Sequence, residues 1–212
     1  MWWTDLPSPA ELADASAGPA IHPDAEVHPT AILEGDVRVG PGSRICAHAR
    51  IVGPVRIGAG VMVGDHAMVR GPTIIRDHVA LGFATEVKAS RIADDVRIGP
   101  QCFIADSIVE EAAYLGAQVR TSNHRLDGAH VSVMVDGRLV ASGHEKLGAQ
   151  IGARAALGIQ CIVLPGRMVP ADSLFGPRIT IEKNLPPGRY RLAQSLACDP
   201  LEPPHTAKGI AA

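Results

Sequence analysis

The chain has 212 residues, 46% of them hydrophobic and 20% charged, with a formal net charge of −2. That length bounds it to one medium domain or two small ones, and the composition is globular rather than disordered or membrane-embedded. Near-neutral charge excludes the basic footprint of a nucleic-acid binder, and an aromatic content of 3% excludes a core built on rings.

The chain opens with Met1-Trp2-Trp3-Thr4-Asp5, which lacks the basic and apolar regions of a secretory leader. No apolar run reaches the roughly eighteen residues of a membrane span. Cys46, Cys102, Cys161 and Cys198 lie far apart with no CxxC or zinc-type spacing, so they read as reduced thiols of a cytoplasmic protein. Residues 1–20 hold Ser8-Pro9-Ala10-Glu11-Leu12-Ala13-Asp14, a short helix with Ser8 as cap and Pro9 in its first turn. We expect this helical segment to cap the open end of the domain that follows.

From Ile21 the sequence advances in sixes: Ile21, Val27, Leu33, Val39, Ile45, Ile51, Ile57, Val63, Val69, Ile75, Leu81, Val87. The phase slips by one residue and resumes at Ile92, Ile98 and Ile104, slips again to Val109 and Leu115, and returns at Ile151, Leu157, Val163, Val169 and Phe175. A small or β-branched residue usually stands four positions after each, and Gly often follows directly. Each hexad is a short strand plus a corner, and three hexads close one triangular coil. Residues 21–182 are therefore expected to form an all-β parallel β-helix of about seven coils. The interruption at 121–147 contains Val131, Val133 and Val135 in alternation, then Asp136-Gly137 and Leu139-Val140, which predicts a projecting β-hairpin with a two-residue turn. Residues 183–212, with Pro186-Pro187-Gly188 and Pro203-Pro204, read as a partly ordered tail.

The hexad pattern resembles that of the hexapeptide-repeat acyltransferases. Three irregular stretches sharpen the likeness: Val69-Arg70-Gly71-Pro72, Glu86-Val87-Lys88-Ala89-Ser90 and Asn123-His124-Arg125-Leu126-Asp127-Gly128. With them, residues 20–192 resemble the acetyltransferase domain of the archaeal-type bifunctional glucosamine-1-phosphate acetyltransferase / sugar-1-phosphate nucleotidyltransferase family. The nucleotidyltransferase domain has no counterpart here. The resemblance implies a left-handed helix, a homotrimer with sites in the clefts between neighbours, and acetyl-CoA or another acyl-CoA as co-substrate, with no metal.

The resemblance assigns Arg70 and Lys88 to a sugar phosphate and Asn123 to the reacting groups. Independently, Arg70 and Lys88 are 18 residues apart, one full coil, so they should stack at about 4.8 Å. A nearby anion would relieve that like-charge pair; Glu86 or a neighbouring carboxylate would do so equally. The family's general-base His is matched by Pro100, which cannot accept a proton, and a family Tyr and Asn are matched by Phe103 and Tyr114. His124, beside Asn123, is the best substitute base, since imidazole suits that work near neutral pH; an exposed loop histidine is the alternative. Tyr114 and Asp106 are weaker candidates, either of which could merely shape the cleft, and Cys102 falls at an inward core position. His48 and His66, 18 apart, should stack without making a metal site. For the donor, Ala155 and Gly158 suit close approach of a ligand, and Lys183, Arg189 and Arg191 suit its phosphates. The reading is a CoA-dependent N-acyltransferase acting on an amino sugar phosphate or similar anionic amine. The alternative is a catalytically silent β-helix that binds a sugar phosphate or nucleotide sugar, or serves as a subunit of a larger enzyme.

Overall fold

The computed structural model describes residues 1–12 and 18–195. Strands of two to four residues alternate with tight corners. Apart from one hairpin, they stack in three parallel sheets of eight, nine and eight strands. We call these face A (from Ala20–Ile21), face B (from Glu26–Val27) and face C (from Ile32–Glu34), in the order the chain visits them. The result is a β-solenoid of eight full coils. Inward positions carry the stepped aliphatics: Ile45, Ile51, Leu81, Val87, Ile92, Ile104 and Leu115 are all fully buried. Small and β-branched side chains fill this narrow triangle, and they suit strands that pair on both edges.

The coil count exceeds the expected seven because two inward positions are less conspicuous in sequence. Thr121 and Ile181 both sit in the core column, buried like their aliphatic neighbours. Both phase slips fall at one corner, the turn from face C back to face A. Ile57 pairs with Ile75, a step of eighteen, whereas Ile75 pairs with Ile92, a step of seventeen. The shortened corners turn through left-handed residues, Ala89 at φ 46° and Asp106 at φ 49°. Asp tolerates that region better than most residues.

The N-terminal segment differs in place from the sequence expectation. It forms a 3-10 turn, Trp2–Asp5, and one helical turn, Pro9–Leu12, with the Glu11 amide donating to Ser8 Oγ at 3.1 Å. Ala13 and Asp14 lie outside the described residues. The segment runs along face A instead of covering the end of the stack. Trp2 and Trp3 bury themselves against Ile108, Val131, Val133 and Leu147. Arg91 donates to the Asp5 carbonyl at 2.9 Å and pairs with Glu11 at 3.0 Å. Rings excluded from the coil interior thus build a second core on its flank.

The hairpin pairs Ser132–Val135 with Arg138–Ala141 around Asp136-Gly137, both at positive φ, which matches the twist of a two-residue turn. Its Val133 side packs into the second core, while Met134 and Leu139 face outward. At the far end, Arg189–Tyr190 adds a ninth strand to face B, and the Tyr190 ring stacks on Phe175 at 4.7 Å. Residues 196–212, including Cys198, lie outside the described residues. Among the described residues no helix is long and apolar enough to cross a membrane.

Candidate functional site

The corner between faces C and A carries most of the irregular chemistry. Behind it runs a ladder of buried hydroxyls. Thr73, Ser90 and Ser107 donate to the carbonyls of Arg70 (2.6 Å), Lys88 (2.7 Å) and Ala105 (2.6 Å). The same oxygens accept from the next coil's amides: Ser90 at 3.4 Å, Ser107 at 3.1 Å and Ala149 at 3.0 Å. Each hydroxyl therefore ties one corner to the next and fixes where its outward side chain stands. Ser90→Ala should leave the Ser107 amide without its partner and the Lys88 carbonyl with the Asp106 amide alone. Its expected cost is about 1–2 kcal/mol, read as a lower denaturation midpoint with Ser90→Thr closer to wild type.

Arg70 and Lys88 are register partners on adjacent strands, Met68–Arg70 and Glu86–Lys88. Each has its own carboxylate. Arg70 pairs with Glu86 through Nε at 3.0 Å and through Nη2. Lys88 Nζ meets Asp106 at 2.9 Å, with both side chains under a fifth exposed. Asp106 also accepts from Asn123 Nδ2 at 2.6 Å. Of the two ways to relieve the cation pair, the structure contains the internal one. Arg70 and Lys88 therefore contribute hydrogen-bonding groups but no surplus charge. Sequence spacing located this pair; the bridging role of Asp106 and the hydroxyl ladder went unread, although Thr73, Ser90 and Ser107 recur at 17-residue intervals.

Asn123 and His124 open the inserted loop. The Asn123 carbonyl accepts from Leu147 at 2.9 Å, and His124 bridges antiparallel to Lys146, so the loop's two ends are tied together. His124 Nδ1 lies 3.4 Å from the Glu145 carbonyl. A proton on Nδ1 directed to that oxygen leaves Nε2 as the acceptor. His124 borders a cavity of about 530 Å³ with Arg125, Asp127, Val131, Leu164 and Arg167 on its walls. Asp127 is held down to about 2 by its hydrogen bond with Arg125.

Phe103 lies on face C in register with Glu86, near this corner. Tyr114 does not join it. It stands on face B between Arg97 and Ala156, so one chain does not gather the two rings into a single pocket. Tyr114 instead lines a second groove of about 700 Å³, with Ala156, Gly158, Pro177, Arg189 and Arg191. Ala155 is fully buried in the core, its side chain in the inward small position, and cannot touch a ligand. Lys183 is exposed and lines neither cavity. Gly158 has a packing reason as well: a Cβ there would stand 2.8 Å from Pro177 N.

Pro100 sits at a different corner, between faces B and C, where its carbonyl accepts from Gln118 at 2.9 Å. Cys102 is core. Burial pushes its thiol up to about 11, so it is protonated at all ordinary pH values. Alkylation at pH 8, followed by mass spectrometry, should label the partly exposed Cys46 well before Cys102 or Cys161, both buried. His48 and His66 stack at 4.8 Å, and among the described residues no group of three His, Cys, Asp or Glu converges.

No protein-family model matches the chain. It is 54% identical over 162 residues to the uncharacterized acetyltransferase YaiX of Escherichia coli, covering 76% of this chain and 70% of that protein. It is 32% identical over 110 residues to the bifunctional sugar-1-phosphate nucleotidylyltransferase/acetyltransferase of Sulfurisphaera tokodaii, covering 52% of this chain but only 27% of that protein. Among solved structures, LpxA from Acinetobacter baumannii matches at 13% identity and a TM-score of 0.45, covering 73% of this chain and 66% of the other.

Proposed function

The chain belongs to the hexapeptide-repeat acetyltransferases, and from that premise we propose that it is a CoA-dependent N-acyltransferase whose acceptor is an amine bearing an anionic group, such as an amino sugar phosphate. Acyl transfer follows from the family. The finer reading rests on one observation: His124, with Nδ1 directed to the Glu145 carbonyl, stands at the rim of a cavity beside the Asn123–Asp106–Lys88 network.

The chemistry assigns each group a task. The amine nitrogen attacks the thioester carbonyl and forms the C–N bond. His124 Nε2 takes the nitrogen's proton, the C–S bond breaks, and the proton passes to the departing CoA thiolate. Asn123 spends its Nδ2 on Asp106, which leaves Oδ1 to accept an N–H of the incoming amine. Arg70, Glu86 and Lys88 form the neighbouring polar wall with the Phe103 ring beside them, and Pro100 takes no part in proton transfer.

The groove on face B suits the donor. Its floor is apolar, and Arg189 and Arg191 border it, an arrangement fit for a pantetheine arm and phosphates. The corner that carries His124 is the vertex opposite face B, so one chain does not bring donor and acceptor together. A homotrimer that sets face B of one copy against the His124 corner of another would do so. Exposed Met62, Phe83, Tyr114, Ile159 and Leu174 on face B and its following corner favour such burial. The test is thiol release from acetyl-CoA with a panel of amino sugar phosphates and other anionic amines, alongside sedimentation equilibrium. Release of thiol by a trimer supports the reading, and no release with any amine overturns it.

A further inference from the structure

The cavity beneath the inserted loop contains a cation that no other part of the site explains. Arg167 precedes the face A strand Met168–Val169. Its guanidinium makes no hydrogen bond or ion pair among the described residues, and its Nε is buried without a partner. Arginine carries five N–H donors and no acceptor, and a buried cation left unpaired is costly. Burial and the positive charge of Arg125 both push Arg167 below its ordinary range. Arg125 has its own carboxylate, Asp127, at 2.9 Å. The charged side chains on the wall are thus two guanidiniums and one carboxylate, a surplus of one positive charge. Val131, Leu164 and Pro165 supply apolar surface around it, which strengthens an ionic contact by excluding water. Arg70 and Lys88, by contrast, are already neutralised by Glu86 and Asp106.

We propose that this cavity is the anion subsite of the acceptor, with Arg167 gripping its phosphate or carboxylate while the amine is presented to His124. The inference rests on the proposed N-acyl transfer for the identity of the ligand, but not for the existence of the anion site. A guanidinium matches both anions through paired N–H donors, so the two sources are separated by experiment.

The test uses the full chain and the variants Arg167→Met and Arg167→Lys. Calorimetric titration with inorganic phosphate and with acetate reads the site without turnover. Wild type should bind at least one of the two, and whichever binds more tightly names the anion. Arg167→Met should lose about 10- to 100-fold in that affinity, the loss expected of a charge-assisted contact, with Arg167→Lys in between. In kinetics, Arg167→Met should raise KM for glucosamine 1-phosphate about 10- to 100-fold more than KM for glucosamine. Its melting temperature should stay close to that of wild type, because the arginine has no hydrogen bond or ion pair to lose among the described residues and methionine keeps an apolar stem in its place. Binding of both anions unchanged by Arg167→Met, or of neither anion by either protein, overturns the proposal. Arg167-dependent anion binding without thiol release from any amine would uphold the anion site and overturn the acyl-transfer reading alone.

Discussion

Replacing His124 by alanine is expected to lower kcat for acyl transfer by about 10²- to 10⁴-fold, the usual worth of a positioned general base. The effect should fall on turnover and leave the fold intact. His124 is exposed, and its ring makes one long contact, to the Glu145 carbonyl, so little stability is at stake. Thermal unfolding should therefore stay within about 0.5 kcal/mol of wild type, as for a surface substitution. His124→Asn is a sharper probe, because it keeps a donor for Glu145 but supplies no basic nitrogen. Retention of wild-type kcat in both variants, with an amine that wild type acylates, would exclude His124 as the base.

The second large effect is expected at Gly148, where the inserted loop rejoins the solenoid. A Cβ there would stand 2.0 Å from the Ala105 carbonyl oxygen and 2.1 Å from Ser107 Oγ. The first of these is backbone, so the clash cannot be relieved by a rotamer. Gly148 also donates to the Asp106 carbonyl at 2.8 Å and accepts from Gly166. Gly148→Ala must push the returning chain away from the corner that holds Asp106, and with it the network of Asn123 and Lys88. We expect a loss of about 3 kcal/mol, the upper part of the usual range for overpacking, with a parallel loss of activity. Gly18→Ala is the matched control, since nothing lies within 4 Å of its Cβ position. Chemical denaturation of the two variants reads the difference.

The inward column was legible because aliphatic side chains must recur every six residues to fill a triangular coil. Thr121 escaped that reading. A hydroxyl looks polar in sequence, yet its oxygen accepts from the Ala105 amide at 2.9 Å, which makes it acceptable in the interior. Hexad phase also states whether a residue points in or out without stating on which face it stands. Phe103 and Tyr114 both immediately precede an inward residue, so they appear equivalent by phase, but they belong to faces C and B. The Arg70–Lys88 stack was legible from an 18-residue spacing. The carboxylates that neutralise the pair were not, because a side chain's choice of partner depends on rotamer and corner geometry. The N-terminal segment was misplaced for a related reason. Arg91 and Glu11 are separated by 80 residues, a distance over which no periodicity carries information.

That segment has a consequence for how the molecule comes apart. A stack of coils in which each touches only its neighbours behaves as a one-dimensional array and can fray from an end. Here a single stave spans the third to the sixth coil on one side. Its indoles lie against Ile108 in the sixth coil, its middle engages Arg91 in the fifth, and Arg56 in the third coil donates to the carbonyl of Leu12. Peeling any of these coils requires lifting a strip held by the others. Neighbour-to-neighbour units are thereby bound as in a barrel hoop, and the central coils, with the corner that carries Lys88, Asp106 and Asn123 among them, are made to open together or not at all.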